Sequence, residues 1–246
     1  MQQKTKAIVL RTTKYGETSL ICTLFTELYG IQSYLLKGVR SVGVKSKTNR
    51  AGLLQVGSQL DIVVEHKPNK SLQTIREFGT AYYYQQVQEQ VVANTVALYA
   101  IELLLRLLPE ASIQTDLFDF TEQFLQTLDA TPPAEMGNYP IYFTLSCAAY
   151  LGYAIQGVYS ENTPYLSITD ATFTASATGD STVLKTDALV LLSAIMQCAS
   201  LQDISQIKSN SQTRKEVLDW LLLFLKQHTE HMHTMKSLAI IHSILH

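Results

Sequence analysis

Cysteine is scarce in this chain: Cys22, Cys147 and Cys198 are the three present, and no two stand in a C-x-x-C pair. That leaves no thiol motif from which a zinc or redox site could start. The expected role for all three is that of small buried hydrophobes in a reducing compartment. Long apolar runs are missing as well. The densest, Trp220 to Leu225, falls well short of the ~20 residues that span a bilayer. Ala7 to Leu10, behind Lys4 and Lys6, is too short for a signal-peptide core. A cytoplasmic protein with no membrane contact is expected, and at 246 residues it buries a core without covalent staples.

Catalytic signatures are equally thin. No Ser-His-Asp arrangement, pair of catalytic carboxylates or glycine-rich cofactor fingerprint stands out. Gly38 to Ser46 comes near a P-loop, but Val44 separates Gly43 from Lys45, whereas that motif needs Gly and Lys adjacent so that amides and ammonium converge on one phosphate. His228, His231 and His233 form an H-x-x-H-x-H cluster. On a helix His233 is offset from the other two, so a solvated helix end is expected there. The chain reads as a non-enzyme with no cofactor and no metal.

What is present is a split of charge. Residues 1–80 hold twelve Lys/Arg against five Asp/Glu, while residues 81–246 hold seven against sixteen. A polyanion is the expected partner of the first region and not of the second.

The same cut divides the secondary structure. Five short β-rich runs fill the first region: about Lys6–Thr13, Ser19–Glu27, Ile31–Lys37, Ser58–His66 and Ser71–Phe78. In the fourth, Leu60, Ile62 and Val64 alternate with Gln59, Asp61 and Glu65, as a half-buried strand does. Five strands in about eighty residues, with a longer excursion after the third, predict an OB-type barrel, an SH3-like barrel being the competitor. Beyond Tyr82 the period becomes helical. Helices are expected from Val92 to Leu108, stopped by Pro109; after Thr115 or Asp116; from Asn138 or Tyr139 to Tyr150; over Asp187–Cys198 with Thr186 as cap; over Arg214–His228; and over Ser237–Leu245. Residues 156–182 are rich in Ser, Thr, Gly and Asn and predict a loop or small β-ribbon with pieces at Tyr165–Ile168 and Thr172–Thr174. The fold class is α+β: an OB barrel over 1–80, then a helical domain over 81–246.

Lys37, Arg40, Lys45, Lys47 and Arg50 lie in one glycine-containing segment with no acid among them. Several cations on a segment able to follow a phosphate backbone give sequence-independent affinity through counterion release. The bland alternative is a solvated loop. Lys14, Lys67 and Lys70, in two further turns, extend the patch, since barrel loops commonly form a binding rim. Tyr15, Tyr29 and Tyr34 interleave with these cations and offer rings for base stacking, whereas Phe25 is expected in the core.

The runs Ala7-Ile-Val-Leu-Arg-Thr, Tyr15-Gly-Glu-Thr, Leu24-Phe-Thr-Glu-Leu-Tyr-Gly30, Lys37-Gly-Val-Arg40, Lys45-Ser-Lys47 and Leu53-Leu-Gln55 resemble the N-terminal domain of the RecO family in order and spacing. Glu102 to Glu110 and the stretch from Leu225 to Leu238, with His228 and Lys236-Ser237, continue the likeness over most of the chain. The resemblance implies a protein that binds single- and double-stranded DNA and anneals complementary strands. It also implies partnership with RecR and with the C-terminal tail of single-strand-binding protein in loading RecA, and a nucleoid-associated location. Many members of the family carry a four-cysteine zinc motif after the helix matching Ile141–Leu151, but 156–182 has no cysteine here.

An acidic tail ending in an apolar residue needs an apolar groove edged by cations. Seven are available beyond residue 80: Arg106, Lys185, Lys208, Arg214, Lys215, Lys226 and Lys236. Arg214 and Lys215, where the positive end of a helix dipole adds to their field, are the first choice. The alternatives from other classes are an RNA-binding or translation-associated OB module and a helical interaction scaffold with an incidental basic loop.

Overall fold

The computed structural model describes residues 2–39, 50–177, 179, 184–230 and 232–245. The alternation read from the sequence is realised in five strands: β1 (Gln2–Tyr15), β2 (Ser19–Thr26), β3 (Gly30–Leu36), β4 (Gln59–Glu65) and β5 (Leu72–Thr80). They close into a barrel in the order β1-β2-β3-β5-β4, antiparallel throughout except for the parallel β3–β5 pair. This is the OB-type barrel and not its SH3-like competitor. Ala7, Val9, Cys22, Leu24, Tyr34, Leu60, Ile62 and Val64 fill its interior, and closure leaves no unpaired edge.

Two compact units partition the chain: Met1–Gln85 with Leu108–Gln126, and Gln86–Leu107 with Thr127–His246. The first therefore takes in more than the strands. Ala111 donates its N–H to Ile31 O at 2.9 Å, and Ile31 bridges Glu110 in parallel. A Cβ on Gly30, at φ +62, would collide with the Ser112 carbonyl, so the Tyr29-Gly30 turn needs its glycine for both reasons. From Thr115 the helix α2 (Thr115–Ala130) begins. Phe118 packs edge-on to Phe25 with ring centroids 5.3 Å apart, Lys6 meets Glu122 at 2.7 Å, and Gln59 bonds Gln126 at 2.9 Å. Part of the barrel's outer wall is thus covered by an acidic helix.

The second unit is helical. In it α1 (Val91–Leu107) packs against α3 (Tyr139–Tyr150) and α7 (Ser237–Leu245), and α3 in turn against α4 (Thr186–Met196), α5 (Leu201–Gln206) and α6 (Ser211–His228), with a two-stranded ribbon of β6 (Tyr165–Ser167) and β7 (Thr172–Thr174). Three details depart from the sequence reading. α4 has Lys185, without a side-chain bond, at the cap position expected for Thr186. α6 starts at Ser211 rather than Arg214, because Asn210 caps it by accepting from Thr213 N–H at 2.8 Å. α5 was not expected; Ser200 and Asp203 build a reciprocal capping box that starts it.

Candidate nucleic-acid interface

Strand register decides which barrel residues share a surface. Tyr15 pairs with Ser19 and Leu20 with Leu36, so Lys14, Tyr15 and Lys37 gather at one end of the barrel. At the other end Gln2 pairs with Glu65, beside the β4–β5 turn that carries Lys67 and Lys70. Between them runs an outer wall left free by α2: Arg11 and Thr13 on β1 face Thr23 and Ile21, which continue to Ser33 and Leu35 and then to Leu72 and Thr74; Thr23 is buried within it and the others are half-buried or exposed. The seven residues of β3 give this side of the barrel roughly 23 Å of length.

Arg11 was not among the sequence candidates. Strict alternation from Ala7 and Val9 turns it into the core, but Leu10 is an extra residue, since Val9 pairs with Leu24 and Arg11 with Thr23. The bulge reverses the phase, sending Thr12 inward onto Leu54 O at 2.9 Å and Arg11 outward. Gln73 was missed too. Its buried carboxamide accepts from Lys67 N–H at 2.9 Å and donates to the carbonyls of Lys67 and Lys70 at 2.8 and 2.5 Å. That clamp fixes the turn bearing two candidate cations, and a lone glutamine in a strand gives no signal of it.

The nominated residues are placed as follows. Lys14, Lys37, Lys67 and Lys70 are exposed, and Tyr15 is 54% exposed beside the β1–β2 turn. Arg50 lies over the Phe78 ring, Cζ 4.1 Å from its centroid, and donates to Phe78 O at 2.6 Å. Arg40, Lys45 and Lys47 lie outside the described residues; Val39 and Ala51, which flank that segment, are joined by a 3.1 Å backbone bond. Tyr29 is half-buried, stacked on His66 at 4.2 Å with its hydroxyl donating to Gln3. Tyr34, offered as a stacking ring, is wholly buried, and so is Phe25, as expected.

In the second unit the guanidinium of Arg214 is turned inward. It donates to Ser209 O at 2.8 Å and to Leu245 O at 2.5 Å, which holds the C-terminal end of α7, and burial lowers its pKa. Lys215 beside it makes no ion pair among the described residues. A cavity of about 490 Å³ opens at the start of α6, lined by Val190, Leu191, Ala194, Ile207 and Lys208, with Asp187 also on its wall. His228 meets Phe224 O and Thr169 O through its two ring nitrogens, His231 lies outside the described residues and His233 is exposed. No group of three metal-ligating side chains converges among the described residues. Residues 156–182 contain no cysteine, and the ribbon is held by Gln156, which exchanges backbone bonds with Ala171 and Phe173. No helix among the described residues is long and apolar enough to cross a membrane.

Fold and surface together define a class: an OB-barrel protein with a cation-edged open wall, joined in one chain to a helical unit. Residues 1–84 match the family described as recombination protein O, N terminal, and residues 88–238 match recombination protein O, C terminal. The chain belongs to the RecO family. It is 27% identical over 243 residues to the DNA repair protein RecO of Christiangramia forsetii, covering 98% of both chains. With the DNA repair protein RecO of Flavobacterium johnsoniae it shares 29% over 244 residues, 99% of each. With that of Bacteroides fragilis it shares 30% over 176 residues, 71% of each.

Proposed function

We propose that this protein is a DNA-binding mediator of recombinational repair that anneals complementary single strands and, with RecR, helps load RecA onto DNA coated by single-strand-binding protein. It works in the cytoplasm at the nucleoid, by binding and not by catalysis, without cofactor or metal. The observation that carries the reading is the barrel wall that α2 leaves free, with Arg11 on it, Lys14, Lys37, Lys67 and Lys70 in the turns at its two ends and Arg50 over Phe78. Cations on loops and hydroxyls on strands suit a phosphate backbone of any sequence. Arg40, Lys45 and Lys47 belong to the same proposed set of phosphate contacts, and the rings are Tyr15 at the end of Lys14 and Lys37 and Tyr29 at the opposite end. The barrel, 1–80, carries DNA, single- or double-stranded, and 81–246 carries protein partners.

Within that second part the tail of single-strand-binding protein docks in the cavity at the start of α6. Its apolar end meets Val190, Leu191 and Ile207, and its carboxylate meets Lys208 and Lys215, assisted by the positive end of α6. Arg214 serves this site by holding the helix start in place.

The test is annealing of complementary oligonucleotides by the full chain, naked and coated with single-strand-binding protein, with RNA strands as competitors. Annealing of coated strands that is lost with Lys208→Glu/Lys215→Glu, while naked-strand annealing persists, is the expected result. Preference for RNA, or no nucleic-acid binding, would overturn the reading.

A further inference from the structure

One cation of the β4–β5 turn, Lys67, and one of strand β5, Arg76, face a carboxylate of their own chain. Glu65 ends β4, its carboxylate 2.6 Å from Arg76 Nη2 and 3.5 Å from Lys67 Nζ. Both approaches are built into the backbone. Val63 pairs with Glu77 and Val64 with Ile75, which makes Arg76 the extra residue of a bulge and re-aims its side chain. Lys67 is steadied by the Gln73 clamp. The hydrogen bond from Arg76, and then the charge of Lys67, hold Glu65 below the usual carboxylate range, so it stays ionised near neutral pH. Two oxygens shared between a guanidinium and an ammonium reproduce what a phosphate would receive from the same pair. Exposed ion pairs of this kind are weak enough to exchange partners.

We propose that Glu65 is an internal competitor for phosphate: it occupies Lys67 and Arg76 in the unbound protein, and a nucleic-acid phosphate must displace it to reach them. The inference rests on the nucleic-acid reading of the barrel and deepens it. Glu65 then sets how many cations the barrel offers, and with that both its affinity and its salt dependence.

The experiment is binding of labelled oligothymidylate to the full chain across a salt series. Glu65→Gln is expected to bind several-fold more tightly, with a salt slope steeper by ~0.7 for each released cation that takes a phosphate, up to ~1.4. Glu77→Gln is the control, because Glu77 is exposed on the neighbouring strand and makes no ion pair among the described residues. It removes the same charge and is expected to change the slope far less. Adding Lys67→Gln and Arg76→Gln to Glu65→Gln is expected to return the slope to the wild-type value or below. Equal slopes for the two single variants, or a steeper slope that survives in the triple variant, would overturn the competitor. If Lys14, Lys37, Arg50, Lys67 and Lys70 can all become Ala without loss of binding, the nucleic-acid reading falls and the competitor with it. If that variant loses binding while Glu65→Gln leaves the slope unchanged, the competitor alone is overturned.

Discussion

The two units use charge in opposite ways. In the helical unit Asp203 and Glu216 each accept a backbone N–H, and three further charged groups face backbone as well. Asp129, 3% exposed, accepts the N–H groups of Gln86 and Val87, both at 2.8 Å. Glu102 accepts those of Lys236 and Ser237 at the start of α7, and Arg214 donates to a carbonyl at the end of the same helix. α7 is thereby held by opposite charges at its two ends, each matched to the helix dipole. In the barrel unit the cations Lys14, Lys37 and Lys70 stand in solvent on turns, while Lys6 pairs with Glu122 of α2, and Arg76 and Lys67 share Glu65. Net charge counts both kinds alike. What separates them is whether the charged group is given over to backbone donors and acceptors; among the described candidate cations of the barrel Arg50 bonds one carbonyl, Phe78 O, which leaves other guanidinium donors for a ligand.

The largest test of this contrast is Asp129→Ala. It removes a charged acceptor from two N–H groups, that of Val87 buried and that of Gln86 part-buried, so a loss of about 2–3 kcal/mol is expected in denaturant unfolding of the helical unit. Oligonucleotide affinity of the folded variant is expected to stay within about twofold. A variant that kept its stability but lost DNA would reverse the assignment of roles.

Next in size is the exposed set. Replacing Lys37, Arg40, Lys45, Lys47 and Arg50 with Ala is expected to lower the single-strand salt slope by up to ~3.5. Between 50 and 200 mM salt the wild type then loses roughly 100-fold more affinity than the variant. Thermal stability is expected to change little. An unchanged slope in a folded protein would make the loop an ordinary solvated surface.

Glu102 gives a smaller effect that depends on pH. Burial alone would raise its pKa, but the Ser237 hydroxyl, the N–H groups of Lys236 and Ser237, and Arg106 outweigh burial and hold it below the ordinary glutamate value. A carboxylate with a depressed folded-state pKa adds stability that is complete above its unfolded value, about 4.3, and is lost as pH falls through the folded value. Glu102→Gln is therefore expected to cost about 1–2 kcal/mol at pH 7, with the gap between variant and wild type narrowing in acid. A gap that stays constant down to pH 3 would mean that the carboxylate is not the group holding α7.

The strands, helices and ribbon were legible because their signals are periodic and local: Leu60, Ile62 and Val64 in β4, Phe124 and Leu128 in α2, and the Ser237–Leu245 helix. The candidate wall was legible only in part. The cations on turns could be named, since turn residues announce themselves, but Arg11 depends on a bulge that alternation hides. Gln73, Glu65 and Glu102 act through partners that only the folded chain brings near. Arg214 shows the opposite error: a cation at a helix start looks available to a ligand until its long-range acceptor, Leu245 O, is seen. α5 was passed over because six residues give too little periodicity, although its capping box was present in the sequence.

The finest contrast lies between two tyrosines of the barrel, Tyr15 and Tyr29, both nominated to stack on bases. Tyr15 is 54% exposed, next to Lys14 at the end where Lys37 emerges, and a ring so placed can accept a base while the lysines hold the flanking phosphates. Tyr29 has one ring face on His66 and its hydroxyl on Gln3, so removing it strips a contact between two turns of the barrel. Tyr15→Ala is therefore expected to weaken oligothymidylate binding by about 1 kcal/mol, the low end for one stacked base, with no change in salt slope because no phosphate contact is lost. Tyr29→Ala is expected to lower the melting temperature of the barrel by a few degrees, with a smaller effect on affinity once the variant is folded. Binding and melting measured on both variants separate the roles. If Tyr29→Ala weakened binding more than Tyr15→Ala at equal stability, the base-contacting surface would lie at the β2–β3 and β4–β5 turns, and the wall beside Arg11 would be its margin rather than its centre.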